Sequence, residues 1–346
     1  MSSDRVRVVI TGAGTSTCLS VVKGLRKQTV FPVKIVTCDA SVDVAGRYLS
    51  DKFYQVPFAD DPNFVPALLE ICSQERADIL IPIVDAELEA LSSQTRRFDE
   101  VGTTVLVSSQ SAVSTCLDKY ALFLLMQKHN LPMPDTWLLE KFEQQTFPVV
   151  LKPRKGRGSL GVFLAHDKTE YEYLVSKIRT PYIVQKMLTG REVTIDALCD
   201  TEGRFLGCCV RERIQVKAGQ SFKGKTIKNT EVEEATSRLI EALSPMGAIG
   251  PFCIQGFITK KGFYFTEANP RFGAATVLSV YAGFNSPAAA VAMCVGIAPQ
   301  QFIQNIETGV MMLRYWQEVF VSKGGKVAHS MEWMLRGWEV RDERTQ

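Results

Sequence analysis

Along the first third of the chain, short apolar runs alternate with segments that have the periodicity of a helix. The runs cover residues 6–10, 33–38, 79–84 and 104–107, and the segments between them repeat apolar residues at the period of a helix. Strands separated by helices are typical of βαβ units, in which the strands lie parallel. The pattern predicts an α/β domain over residues 1–112.

The spacing of apolar residues changes after residue 112. One helix is predicted to carry residues 117–120 and to end near His129, before Pro132 and Pro134. Strands at 147–152, 162–165 and 182–185, with a helix at 169–178, then predict a small α+β lobe over residues 113–184.

Strands follow one another closely in the remainder, residues 185–346. They are predicted at 192–198, 205–213, 252–258 and 263–267, with a helix at 231–244. Such short intervals favour a mostly antiparallel sheet. A helical region rich in small residues at 273–296 and one further strand within 310–320 complete this larger lobe.

Composition narrows the class of protein. The 346 residues include 40 basic and 37 acidic side chains, and this net charge of +3 argues against a protein that coats nucleic acid. The longest apolar stretch, residues 288–298, falls short of the ~20 residues that span a bilayer. Nine scattered cysteines and three histidines argue against a disulfide framework and a histidine-rich metal centre. We expect a cytoplasmic protein that binds neither nucleic acid nor membrane.

A first glycine loop, Gly-Ala-Gly-Thr-Ser-Thr at residues 12–17, follows the first strand. A dinucleotide site has such a loop between strand and helix, and Asp39 ends the next strand, where a ribose-binding acid would lie. Thr17 stands where the fingerprint has Gly or Ala. Two interpretations remain, a tight turn between strand and helix or a dinucleotide site of an NAD(P)-dependent oxidoreductase.

A second glycine loop, Gly-Arg-Gly-Ser-Leu-Gly at residues 156–161, has predicted strands on both sides. It therefore closes a hairpin, and the backbone N–H groups of a flexible glycine hairpin can cover phosphates. Lys152, Arg154, Lys155 and Arg157 add positive charge beside it. A basic hairpin without a ligand is the alternative.

The most specific segment is Glu267-Ala-Asn269-Pro-Arg271, at the end of a predicted strand. Glu267 and Asn269 are two residues apart and point to one face, and carboxylate and amide oxygens suit a hard cation such as Mg²⁺. Gln255, on the preceding apolar strand, lies beside Glu267 if the two strands pair; a buried amide satisfied by the core is the alternative. Arg271 supplies a fixed cation for a phosphoryl group.

The order of these motifs resembles the ATP-grasp superfamily, and most closely its branch similar to the large subunit of carbamoyl phosphate synthetase. The resemblance implies a Rossmann-like α/β domain that precedes a two-lobed α+β ATP-grasp fold. It also implies an ATP site, in which Lys119 and Lys152 contact phosphates and Glu192 holds the ribose. The lid over the phosphates comprises Gly156, Arg157, Gly158, Ser159 and Gly161, and the adenine hinge comprises Gln185, Lys186 and Leu188.

By the same resemblance, Gln255, Glu267 and Asn269 are ligands of Mg²⁺, for which Mn²⁺ can substitute. Arg271 and Lys152 are the catalytic residues, and Arg211, Arg213 and Arg271 contact the substrate. Gln185 departs from the glutamate that is frequent at the hinge, and the chain lacks the second ATP-grasp half of the synthetase.

The implied activity is an ADP-forming ligase that phosphorylates a carboxylate and joins it to an amine. Its partners would be a small carboxylate and a small amine, such as an amino acid, and the resemblance allows a homodimer. A regulatory protein that binds nucleotide without turnover and the oxidoreductase described above are the alternatives.

Overall fold

Three β-sheets organise the chain, which is described here from a computed structural model that covers residues 5–143, 146–156, 158, 160–315 and 318–321. The first sheet has five strands, the second four and the third six. The first is parallel, whereas the other two are antiparallel. This confirms the predicted fold class, an α/β domain followed by two α+β lobes.

The parallel sheet has the strand order β3-β2-β1-β4-β5. Its strands are β1 (Val6–Ile10), β2 (Val33–Asp39), β3 (Lys52–Gln55), β4 (Ile79–Ile81) and β5 (Thr104–Val105). The helices are α1 (Ser16–Lys27), α2 (Phe64–Glu75), α3 (Asp85–Ser92) and α4 (Thr95–Asp99). The sequence pattern missed β3 because this edge strand is half exposed and carries few apolar residues.

Residues 110–128 form two helices where one was predicted. They are α5 (Gln110–Leu117) and α6 (Lys119–Lys128), and Asp118 between them has an extended backbone. Its carboxylate accepts hydrogen bonds from the N–H groups of Tyr120 at 3.0 Å and Ala121 at 3.1 Å. Asp118 is therefore an N-cap that starts a new helix, and Lys119 is the first residue of that helix.

The small lobe is a sheet of order β6-β9-β7-β8 covered by one helix. Its elements are β6 (Thr136–Leu138), β7 (Val149–Pro153), β8 (Phe163–Ala165), α7 (Lys168–Lys177) and β9 (Tyr182–Lys186). Strands β7 and β8 pair antiparallel, with Leu151 opposite Phe163. The second glycine loop therefore closes a hairpin, as its flanking strands predicted.

The large lobe has the strand order β14-β13-β10-β11-β12-β15. Its strands are β10 (Arg191–Cys199), β11 (Phe205–Lys217), β12 (Gln220–Ile227), β13 (Gly250–Thr259), β14 (Gly262–Asn269) and β15 (Met311–Leu313). The helices are α8 (Thr230–Leu243), α9 (Thr276–Tyr281) and α10 (Ser286–Cys294).

The structure of this lobe differs from the sequence-based expectation in two places: one strand was missed, and one predicted helical region is broken. Polar and glycine residues hid β12 from the sequence pattern, although it forms a hairpin with a lengthened β11. The helical region 273–296 is broken between α9 and α10, where Gly283 has φ +103°. That conformation suits glycine and ends a helix.

The N-terminal sheet and the large lobe share a hydrophobic core. Ile10 of β1 and Leu25 of α1 belong to one buried cluster with Leu198, Phe284 and Ala290 of the large lobe. The small lobe has a separate core around Phe142 and Tyr171. The three-way division of the chain at residues 112 and 184 stays a prediction. Within the described ranges, every helix is too short or too polar to cross a bilayer, and the cytoplasmic location stays a prediction.

Candidate active site

A cavity of about 460 Å³ lies between the small and the large lobe. Residues from the start of α6, from β7 and its glycine loop, from β9 and from three strands of the large sheet line it. Nine predicted site residues are among them: Lys119, Lys152, Gly156, Gln185, Lys186, Leu188, Glu192, Gln255 and Glu267. Residues up to 148 positions apart in sequence thus meet in one cleft.

Six other predicted residues stand outside this lining: Gly158, Gly161, Arg211, Arg213, Asn269 and Arg271. Asn269 is the last residue of β14, and Arg271 follows two residues later. Gly158 and Gly161 belong to the loop of the β7–β8 hairpin. Arg157 and Ser159 lie outside the described residues.

Apolar side chains that the sequence analysis did not single out form the walls of the cavity. Val150, Phe163 and Met187 come from the small lobe, and Phe257 comes from the large one. Val150 is two residues before Lys152, and Phe257 is two residues after Gln255, so strand alternation was the signal that could have found them. These walls make one part of the cleft a slot for a flat apolar group.

The ammonium group of Lys152 is held inside the cleft by an amide. It donates a hydrogen bond of 2.8 Å to Oε1 of Gln185, whose Nε2 donates one of 2.9 Å to the hydroxyl of Thr136. Burial lowers the pKa of Lys152 to about 8; Glu267 opposes this shift and Lys119 adds to it. A cation with so little compensation favours an anionic ligand.

Lys119 lies between the glycine loop and the acid–amide strand. Its ammonium donates a hydrogen bond of 3.1 Å to the carbonyl of Gly156 and is 3.6 Å from Oε1 of Glu267. The side chain is 9% exposed. Because Asp118 caps α6 and also pairs with Arg154 at 2.8 Å, the backbone that carries Lys119 is fixed to β7.

The hinge between the lobes keeps one backbone donor available. The N–H groups of Lys186 and Met187 bond to the carbonyls of Asp135 at 3.0 Å and Pro148 at 3.3 Å. Across the described part of the chain, the N–H of Leu188 has no such partner. It lines the cavity and can bond to a ligand there.

Glu192 and Arg213 form an ion pair beside the cavity. Nε of Arg213 is 3.1 Å from Oε1 of Glu192 but is not aligned for a hydrogen bond. The Nη2 group donates to the carbonyl of Gly219 at 3.1 Å, at the turn between β11 and β12. The Glu192 carboxylate is 32% exposed and keeps oxygen atoms open to a hydroxyl donor.

The predicted cation ligands are neighbours on paired strands. Gln255 of β13 lies opposite Glu267 of β14, and Cys253 lies opposite Asn269. Nδ2 of Asn269 donates to the carbonyl of Cys253 at 3.4 Å, which leaves its side-chain oxygen as an acceptor. Two amide oxygens and one carboxylate fit Mg²⁺, which takes oxygen ligands and is often held partly by substrate phosphates.

The side chain of Arg271 is fixed by the N-terminal domain. Its Nε donates to Oδ1 of Asp85 at 2.5 Å, and its Nη1 donates to the carbonyl of Phe272 at 3.0 Å. Burial opposes the charge of this guanidinium, but Asp85 outweighs that effect and the pKa of Arg271 is raised. Asp85 starts α3, at the carboxyl edge of the parallel sheet, where ligands of such sheets bind.

Arg211 does not face the cleft, contrary to expectation. It is 2% exposed and bonds through Nε and Nη2 to the carboxylate of Asp196, at 2.8 and 2.9 Å. Thr276 and Ser279 also donate to this carboxylate. The alternation of Arg211 and Arg213 gave the correct strand, but Asp196 on the neighbouring strand holds Arg211 inside the lobe.

The first glycine loop is covered by the chain itself. A Cβ on Gly46 would stand 2.1 Å from the carbonyl oxygen of Ala13, so the turn Ala45–Tyr48 packs directly on the loop. Asp39 accepts hydrogen bonds from the N–H of Gly14 at 2.7 Å and of Ser41 at 3.0 Å. These contacts favour the tight-turn interpretation over a dinucleotide site.

Comparison with known families agrees with this geometry. Residues 116–275 match the family described as ATP-grasp domain, and residues 8–106 match the PylC-like N-terminal domain. The chain contains an ATP-grasp domain. Its assignment to the carbamoyl-phosphate-synthetase branch stays a prediction.

Individual relatives of this ATP-grasp protein are distant. N-acetylaspartylglutamate synthase A of Mus musculus is 24% identical over 212 residues, which are 54% of this chain and 52% of that protein. The chain thus matches about half the length of this curated relative. An L-amino acid ligase of Bacillus licheniformis superposes with TM-score 0.66 at 15% identity, over 89% of this chain and 78% of that one.

A second similar structure is the biotin carboxylase domain dimer of 2-oxoglutarate carboxylase from Hydrogenobacter thermophilus, in complex with MgADP, ADP and bicarbonate. Its TM-score is 0.68 at 15% identity, over 88% of this chain and 73% of that one. At such identities the two structural likenesses establish the fold of the ATP-grasp protein.

Proposed function

We propose that this protein is an ATP- and Mg²⁺-dependent ligase that activates a carboxylate as an acyl phosphate and joins it to an amine. One observation carries the proposal. Lys119, Lys152, Gln255 and Glu267, from four separate elements, converge in one cleft whose other end is an apolar slot. That combination suits the triphosphate and the base of ATP.

The adenine occupies the slot between Phe163, Met187 and Phe257, and the N–H of Leu188 donates to it. Glu192 accepts hydrogen bonds from the ribose hydroxyls. Lys119 and Lys152 offset the phosphate charge, and the hairpin that contains Gly156 covers the phosphates.

Mg²⁺ bound to Gln255, Glu267 and Asn269 would neutralise the β- and γ-phosphate oxygens. Arg271, oriented by Asp85, donates hydrogen bonds to the transferring phosphoryl group. A carboxylate oxygen of the substrate attacks the γ-phosphorus and ADP leaves. The amine nitrogen then attacks the acyl carbon, phosphate leaves, and the amine loses a proton. Arg213 remains the proposed contact of the substrate carboxylate.

The substrate class is proposed from the site and from the names of two relatives. Arg213 and Arg271 beside the cleft suit a substrate that carries a carboxylate. The names N-acetylaspartylglutamate synthase and L-amino acid ligase both denote enzymes of amino acid derivatives. We therefore infer that an amino acid is one substrate. We also propose a homodimer, because the similar biotin carboxylase domain was solved as a dimer.

The test is release of ADP and phosphate from MgATP, measured across the 20 amino acids singly and in pairs. Amide formation with stoichiometric ADP is expected, and Lys152→Met should abolish it while Lys168→Met, on the exposed face of α7, should not. Release of AMP and pyrophosphate would contradict the proposal. Tight MgATP binding without turnover for any pair would favour a regulatory nucleotide-binding protein instead.

A further inference from the structure

The guanidinium of Arg314, just after β15, lies between two loops next to the active site. Nη1 donates a hydrogen bond of 3.5 Å to Oε1 of Gln220, at the turn of the β11–β12 hairpin. Nη2 donates to the carbonyl of Ala274, three residues after Arg271. Both acceptors are neutral, and Arg314 is half-buried.

Helix α1 of the N-terminal domain closes the other side. The hydroxyl of Ser16 donates to the same Gln220 oxygen at 2.7 Å, and that of Ser20 donates to the same Ala274 carbonyl at 3.0 Å. Three elements from distant parts of the sequence thus frame one guanidinium. The frame is polar, and it is held in place from both sides.

Positive charge concentrates in this frame. Burial lowers the pKa of Arg314, and the neighbouring Arg211 adds to that effect. Burial also lowers the pKa of Lys23 on α1, and Arg314 adds to it. Asp196, the acid that compensates Arg211, already accepts four hydrogen bonds. Among the described residues, no carboxylate lies within 4.0 Å of Arg314.

The frame adjoins the phosphoryl end of the cleft. On one side the loop that carries Ala274 begins at Arg271, and on the other Gly219, next to Gln220, accepts a hydrogen bond from Arg213. A substrate whose reacting group lies beside Arg271 can therefore reach Arg314 along the loop that carries Ala274. A half-buried guanidinium without an acid partner is suited to a carboxylate, which it can bind through two parallel hydrogen bonds.

We propose that Arg314, framed by Gln220, Ala274 and helix α1, is the subsite for the free α-carboxylate of an amino acid substrate, the carboxylate that takes no part in the reaction. The inference rests on the proposed ligase activity and adds to it a specificity residue. The N-terminal domain thereby contributes one wall of the substrate site.

The experiment measures thermal stabilisation of the full chain, saturated with MgADP, by the 20 amino acids. Each amino acid that stabilises the protein is then compared with its α-amide, which lacks the carboxylate. Arg314→Gln should weaken binding of the amino acid by about tenfold or more and leave the Kd of MgADP unchanged. Arg314→Lys keeps the positive charge but loses the two parallel N–H donors of the guanidinium, so its affinity for the amino acid should lie between those of the unaltered protein and Arg314→Gln.

Arg238→Gln is the matched control, because Arg238 is exposed on α8 and, like Arg314, donates to neutral acceptors, in its case the backbone carbonyls of His129 and Asn130. The subsite is overturned if no amino acid stabilises the MgADP-bound protein, if the α-amides bind equally well, or if Arg314→Gln binds as the unaltered chain does. If the unaltered protein did not bind MgADP, the proposed function itself would be refuted.

Discussion

Lys152 is paired inside the cleft with the neutral side-chain amide of Gln185. Gln185 accepts its hydrogen bond but brings no negative charge, and burial lowers the pKa of Lys152 to about 8. Its charge is therefore incomplete at mildly alkaline pH. In the unfolded chain the same amine has its ordinary pKa of 10.5, so the unfolded state binds more protons between these values and this residue makes the ligand-free protein more stable as pH rises through them.

Nucleotide binding should consequently take up a proton. Phosphates near Lys152 favour its charged form, so MgADP binding at pH 8 should be accompanied by uptake of roughly half a proton. Isothermal titration calorimetry in two buffers with different ionisation enthalpies measures this uptake directly. It should vanish at pH 6, where Lys152 is already protonated.

Two variants identify the group that takes up the proton. Gln185→Glu places a carboxylate beside Lys152, raises its pKa and should remove the uptake at pH 8. Lys168→Met changes an exposed lysine that pairs with Glu172 at 3.7 Å, and the uptake should persist. If the proton uptake persisted in Gln185→Glu as well, another group would be the one that binds the proton.

Single positions differed in how much the sequence revealed about them. Glu267 and Asn269 were predictable because their two-residue spacing fixes one face of a strand. The same rule placed Arg211 and Arg213 together but could not reveal that Asp196 holds the first and Glu192 lies beside the second. Depth depends on which side chain stands on the adjacent strand, and that pairing joins segments 15 residues apart.

The pairing of β13 with β14 determines the geometry of the cation site. A slip of one residue would turn Gln255 and Glu267 to opposite faces. The sequence anticipated this pair but missed β12 and the break between α5 and α6. Both depend on polar residues that form specific contacts, such as the cap at Asp118, rather than on hydrophobic periodicity.

Gln255→Glu tests the pair of strands as a cation site. Two carboxylates directly opposite each other on paired strands repel, so the variant without divalent cation should lose roughly 1 kcal/mol of stability. In the presence of ADP, Mg²⁺ or Mn²⁺ should restore more stability to Gln255→Glu than to the unaltered protein. Thermal unfolding with and without the metal, at constant ADP, gives both values.

Gln255→Met is the counterpart without an oxygen ligand, and its response to the metal should be weaker than that of the unaltered chain. An equal response from all three proteins would mean that the cation binds elsewhere.

The N-terminal domain contributes contacts to the site, although its own glycine loop is covered by the turn Ala45–Tyr48. It shares a core with the large lobe, which keeps the carboxyl edge of its sheet in a constant position relative to β14. From that edge Asp85 reaches Arg271, and from α1 two serines reach the frame of Arg314. The contact between Asp85 and Arg271 spans 186 positions, and no local sequence pattern encodes it.

Asp85 should therefore act as a positioning residue for phosphoryl transfer rather than for nucleotide binding. Without it the Arg271 guanidinium loses its strongest partner and samples other orientations. Asp85→Asn should weaken binding of MgADP with aluminium fluoride, a mimic of the transferring phosphoryl group, by about tenfold, or ~1.4 kcal/mol. MgADP alone should bind with unchanged affinity, because Arg271 lies outside the cavity lining. As a control, Asp51→Asn disrupts a comparable ion pair with Arg26 at 2.7 Å, away from the cleft, and should change neither affinity. If Asp85→Asn weakened binding of both ligands equally, Asp85 would instead contribute to the general stability of the site.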